Sequence, residues 1–146
     1  MNKASRNFVT LLTVLLFLIP ALSLIAQNKV LFQEVTEIPE DKGLVYIYRT
    51  SSMAGAAVHF LILANGSPIS GTTLKSGTYL EYIADPGTYL FRAESQPYKR
   101  TISVNVPSGR AVFIESNPNG LLEVVSSEIG LKRIKACKKI VKKKNE

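Results

Sequence analysis

The sequence predicts an all-β domain, a small antiparallel β-sandwich, with a signal segment before it and a basic helix after it. Three observations predict this class. Turn-forming clusters recur between apolar runs at a spacing of roughly eight to twelve residues. Residues 44–49, Leu-Val-Tyr-Ile-Tyr-Arg, are dense in the β-branched and aromatic side chains that suit a pleated surface. Residues 101–106 alternate strictly, with Ile102, Val104 and Val106 on one face and Thr101, Ser103 and Asn105 on the other. One face of that strand is buried and the other is wet.

Residues 1–26 read as a secretory signal: Lys3 and Arg6 supply the basic start, residues 8–19 an apolar run, and small residues precede the expected cut. Cleavage is expected after Ala26, with a second site after Ser23. An uncleaved anchor is the alternative, because the apolar run approaches spanning length, but Pro20 near its end favours processing. Residues 27–42 form a lead-in, extended over 28–38 and turning at 39–43. The sandwich is expected over residues 43–127. After the strand at 44–49, residues 51–57 are a run of small residues around Met53 and read as a flexible loop. A second strand covers 58–64 and meets Asn65-Gly66, the dipeptide that accepts positive φ in a type I′ hairpin. Residues 78–84 and 88–94 flank Asp85-Pro86-Gly87 and read as another hairpin, with Gly87 at positive φ. Pro107-Ser108-Gly109 and Asn117-Pro118-Asn119-Gly120 turn into strands at 110–115 and 121–126.

The periodicity changes over residues 128–146. Leu131, Ile134, Cys137 and Val141 recur at spacings of three and four with lysines between them, the stripe of an amphipathic helix. The stripe is expected to pack on the sandwich. The formal charge of +7 also belongs to this end, because residues 27–130 are slightly acidic. A basic balance invites nucleic acid as a partner, but the signal directs the chain away from it. Lys138, Lys139, Lys142, Lys143 and Lys144 form either a solvated face or an electrostatic tail that makes weak contact with anionic membrane.

Several chemistries lack their residues. His59 is the only histidine and Cys137 the only cysteine, too few for a clustered metal site. No serine sits in a nucleophile elbow and no glycine loop opens a helix to cradle phosphate. No catalytic, cofactor-binding or metal residue is therefore assigned, and the chain is not expected to be an enzyme. A small periplasmic hydrolase is the alternative, and Asp85, Glu81, His59 or Arg49 gathered in one cleft would favour it. Cys137 reads as a small buried hydrophobe, with an intermolecular disulfide as the sharper alternative. The candidate binding surface is the loop bearing Ser51, Ser52, Met53 and Gly55 with Tyr46 and Tyr48 of the preceding strand. Packing is the commoner role for those two tyrosines, and an aromatic ligand platform is the functional one.

Gly43-Leu44-Val45-Tyr46-Ile47-Tyr48-Arg49 and its small-residue loop, Asn65-Gly66, Gly77-Thr78-Tyr79 and Asp85-Pro86-Gly87-Thr88-Tyr89 resemble a bacterial family of exported proteins and lipoproteins. That family is the domain of unknown function 2846, and the resemblance runs over about residues 42–134. It implies an envelope location and a prealbumin-like or immunoglobulin-like sandwich, and carries over no catalytic residue. Gln27 stands where the lipid-bearing cysteine of many members would be, so a lipoprotein is not expected. A weaker similarity, to PEGA-type surface-layer domains, rests on the Asn65-Gly66 and Pro86-Gly87 turns. Together these readings predict a noncatalytic exported envelope module, periplasmic or secreted, that binds an envelope protein or glycan.

Overall fold

The structure, a computed structural model, describes residues 32–140. The expected signal and Lys142, Lys143 and Lys144 lie outside the described residues. In chain order the strands are β1 (Gly43–Arg49), β2 (Leu61–Ala64), β3 (Ser67–Pro68), β4 (Thr78–Ala84), β5 (Gly87–Ser95), β6 (Tyr98–Val106), β7 (Ala111–Ser116), β8 (Leu122–Val125) and β9 (Lys138–Lys139). One helix, α1 (Ser127–Ile134), lies between the last two.

β1 is apolar on both of its alternating faces, a composition that suits a strand covered on both sides. All seven of its residues are buried at the centre of a five-stranded sheet ordered β8-β7-β1-β4-β9. The second sheet, β3-β2-β5-β6, packs against one face of the first. Val45, Ile47, Leu80 and Ile114 from one sheet meet Ile62, Phe91, Ala93 and Val104 from the other. The first sheet's opposite face carries Leu44, Tyr46, Tyr48, Tyr79 and Phe113. It is covered by Ile134 and Cys137 from α1 and the turn after it, and by Phe32 and Ile38 of the lead-in. The domain is thus a mostly β sandwich with a third, thinner layer.

Asn65 and Gly66, at φ 48° and 83°, make the expected two-residue hairpin between β2 and β3. The segment after Ala84 differs from expectation. β4 and β5 do not pair: β4 lies between β1 and β9, β5 between β2 and β6. Asp85-Pro86 therefore carries the chain from one sheet to the other. The crossing brings Tyr82 edge-on to Tyr89 and Phe91, with ring centroids 6.0 and 5.9 Å apart, so aromatic packing across the sandwich replaces a ladder within one sheet. Gly87 has φ 151°, a conformation unfavourable to any side chain, though space for one is open. Gly87→Val is expected to lower the unfolding free energy by roughly 1 kcal/mol or more. A urea midpoint equal to wild type would refute that strain.

The sheets are not wholly antiparallel either. β7 runs parallel to β1 and β9 parallel to β4. The chain leaves β6 in the second sheet, turns at residues 107–109, and enters the first sheet alongside β1. A bare Gly43 permits the close passage, since a Cβ there would lie 2.3 Å from Val106 Cγ1 and 2.5 Å from the Pro107 carbonyl oxygen.

The C-terminal helix is shorter than the 128–146 expected. Ser126 caps it, its hydroxyl accepting from the Ile129 N–H at 3.4 Å, and it ends at Ile134. Lys138 N–H then donates to Gly77 O at 2.9 Å and Ile140 N–H to Tyr79 O at 3.0 Å. The open edge of β4 offers those partners, and pairing there displaces continued helix. The apolar stripe does pack on the sheet as expected: Ile134 and Cys137 are fully buried and Leu131 rests beside them. Val141 lies outside the described residues.

Candidate functional site

Odd-numbered residues of β1 face the sandwich interior, and the last of them is Arg49. Its side chain is 1% exposed. Nη1 donates to Val58 O at 2.7 Å, Nη2 donates to Gly55 O at 2.6 Å, and the guanidinium lies 5.5 Å from the Phe60 ring centroid. Nε is buried without a hydrogen-bond partner among the described residues. Burial lowers the pKa of this group. Among the described residues its charge is met by two carbonyl dipoles and an aromatic face, not by a carboxylate.

Arg49 thereby holds the loop at 51–57 that the sequence marks as flexible. Apart from Met53 the loop's own side chains are small, and it is tied to the rest of the domain by groups outside it. Ser52 N–H donates to Ser76 Oγ at 3.0 Å, and the Ser76 hydroxyl donates back to Ser52 O at 3.2 Å. Met53 at the tip is 96% exposed.

Beside this loop is an open cavity of about 300 Å³, lined by Arg49, Thr50, Ser52, Glu115, Ser116, Asn117, Pro118, Leu121, Glu123 and Arg133. The parallel register sets Glu115 of β7 opposite Tyr48 of β1. The Tyr48 hydroxyl donates to Glu115 Oε2 at 3.3 Å, and Arg133 from the last turn of α1 pairs with the same oxygen. Asn117 Oδ1 accepts from the Asn119 and Leu121 N–H groups at 2.9 and 3.0 Å, fixing the opposite rim. The result is an open pocket of mixed polar and apolar lining in which two guanidinium groups, Arg49 and Arg133, face two carboxylates, Glu115 and Glu123.

Of the expected surface, Ser52 lines this pocket, and Ser51, Met53 and Gly55 lie in the adjoining loop. Tyr46 and Tyr48 do not join them. They are 1% and 0% exposed and face the helix layer, because even-numbered residues of β1 point away from the sandwich interior. Tyr46 stacks on Phe113 at 5.0 Å and its hydroxyl accepts from the Val35 N–H at 3.0 Å. These rings are packing, not a ligand platform. Glu115, Asn117, Glu123 and Arg133 were not singled out by sequence, since only the β1-β7 register and the seat of α1 bring them together.

Burial pushes the Tyr79 phenol up to about 12 and raises Tyr46 and Tyr48 above the ordinary tyrosine value. A folded pKa above the unfolded one stabilises the fold fully below pH about 10, and this contribution is lost as pH rises through the folded value. Resistance to urea is therefore expected to fall between pH about 10 and 12, with phenolate absorbance from these three rings appearing only as the chain unfolds. Their early titration in the folded protein would contradict the burial. Cys137 is buried too, its thiol donating to Arg49 O at 3.5 Å and its pKa pushed up to about 11. An intermolecular disulfide would require this layer to open.

The lysine tail is divided. Lys138 and Lys139 lie in β9 instead of on a helix, and Lys139 pairs with Glu81. Asp85 pairs with Lys42 at 2.6 Å, His59 is exposed in the loop before β2, and Arg49 is interior, so these four sequence-marked groups share no cleft. Among the described residues no three His, Cys, Asp or Glu side chains are grouped to hold a metal ion, and no helix is long and apolar enough to cross a membrane. No family model, curated protein or solved structure matches the chain.

Proposed function

We propose that the chain is a noncatalytic, exported cell-envelope module that binds an envelope protein or glycan at the sandwich end bearing the Arg133-Glu115 pocket. The observation that carries this reading is the cavity of mixed polar and apolar lining beside an exposed loop that Arg49 fixes to the core. Binding residues are commonly placed on loops held by a rigid scaffold. Serine, asparagine, carboxylate and guanidinium groups suit hydroxyl-rich or peptide ligands. Export rests on the N-terminal sequence, and the prealbumin-like relationship on the resemblance over residues 42–134.

The test compares immobilised full chain with a Met53→Asp, Leu121→Arg, Glu123→Lys variant, exposing both to solubilised envelope protein and to cell-wall glycan. Wild type should retain a component that the variant loses. Ile83→Asp, exposed on β4 away from this end, should retain it. Equal capture by all three sinks the assignment. N-terminal sequencing of protein from the producing cell should begin at Gln27.

The tail supports a secondary contact with anionic membrane, each lysine contributing about 1 kcal/mol at most and less in salt. Removing residues after Lys135 would also remove Cys137 and β9, so charge is changed instead. Lys138, Lys142, Lys143 and Lys144→Gln should weaken binding to anionic vesicles at low salt. Unchanged binding leaves the tail as solvated charge.

A further inference from the structure

Four strands end the two sheets, and three of them are poor templates for pairing. β3 is two residues long and contains Pro68, β9 is two residues long and both are lysine, and β8 is four residues long. β6 is different. It pairs with β5 through nine consecutive residue pairs, and its other edge meets no strand among the described residues. Residues 101–106 carry no charge and no proline. Thr101, Ser103 and Asn105 form an exposed row, and Val104 and Val106 are buried on the core row.

The neighbouring strand across the sandwich adds a second observation. β8 lies against β6, and Val124 occupies the same core-facing row as buried Leu122. Val124 is nevertheless 50% exposed. The sandwich is open on this side, with an apolar side chain and an unpaired strand edge next to each other.

We propose that this side is a homodimer interface in which β6 pairs antiparallel with β6 of a second copy, joining two four-stranded sheets into one. A two-fold axis perpendicular to the sheet makes the contact self-complementary. The pleat allows only registers that keep exposed row with exposed row. Centring on Ser103 sets Thr101 opposite the partner's Asn105, Ile102 opposite the partner's Val104, and Ser103 opposite the partner's Ser103. All five are uncharged, and Lys99 and Arg100 stay at the ends. The same axis brings the two β8 strands together and covers Val124. The chain's own tail is a poorer occupant, because Lys142, Lys143 and Lys144 would run beside Lys99 and Arg100.

Sedimentation equilibrium of the full chain should show a concentration-dependent dimer. Ser103→Lys, which sets two lysines face to face on an exposed row, should weaken it at least tenfold, with an unfolding midpoint equal to wild type at concentrations where both proteins are monomeric. If that variant folds poorly, two double variants decide. Thr101→Lys with Asn105→Glu should still dimerise, and Thr101→Lys with Asn105→Lys should not. A monomer at every concentration overturns the proposal, as does a dimer that neither lysine variant weakens.

Discussion

Arg49→Ala is expected to lose roughly 3 to 5 kcal/mol of unfolding free energy, a large fraction of the roughly 5 to 15 kcal/mol typical of a domain. The loss has two sources. Removing the side chain opens a cavity against Phe60, and it leaves Gly55 O and Val58 O without their guanidinium donors. Arg49→Met separates them. It refills most of the volume and removes a buried charge, changes that can be neutral or favourable, while the two carbonyls stay unpaired. A loss of about 1 to 3 kcal/mol is expected there, with faster amide exchange over residues 51–58. Urea unfolding and hydrogen exchange read both quantities. If Arg49→Met exchanged at wild-type rates in that loop, Arg49 would not be its anchor.

Gly130→Ala is expected to destabilise by about 2 kcal/mol although alanine is the better helix former. Alanine should gain roughly 1 kcal/mol in the middle of a helix. Here the added methyl would lie 2.3 Å from Phe113 Cγ and 2.5 Å from Cβ and Cδ1. Phe113 has little room to yield, being stacked on Tyr46 with Phe32 edge-on to that ring at 5.4 Å. Overpacking of this severity costs roughly 3 kcal/mol, the upper part of the usual range, so the clash wins. Combining Gly130→Ala with Phe113→Leu should recover part of the loss, a coupling above about 1 kcal/mol in a double-mutant cycle. Strict additivity would show that α1 is not seated on that ring.

Parts of this architecture were legible residue by residue. Asn65-Gly66 announces its hairpin because few other dipeptides tolerate positive φ twice. The alternation over 101–106 announces one wet face, and the β-branched and aromatic density of residues 44–49 announces a strand. The candidate pocket was far less legible. Ser52 was within reach of sequence reasoning as part of a small-residue loop, but Glu115 and Arg133 lie 18 residues apart, with β8 between them, and are joined only by packing. Tyr46 and Tyr48 lie under the helix layer and do not line the pocket; an aromatic row shows that a face exists, not what covers it.

By itself the sequence determined much of the local conformation: which of the longer segments extend and where the chain turns. These follow from φ preferences and side-chain period, which act within a few residues. Only the tertiary structure decided that Asp85-Pro86 crosses between sheets, that β7 lies parallel to β1, and that the helix yields to β9 after Ile134. Those choices depend on which distant partner offers the better burial and hydrogen bonds. The edge of β4 takes Lys138 and Ile140, and the interior end of β1 gathers the Arg49 loop, because in each place unsatisfied backbone groups and apolar surface are met together.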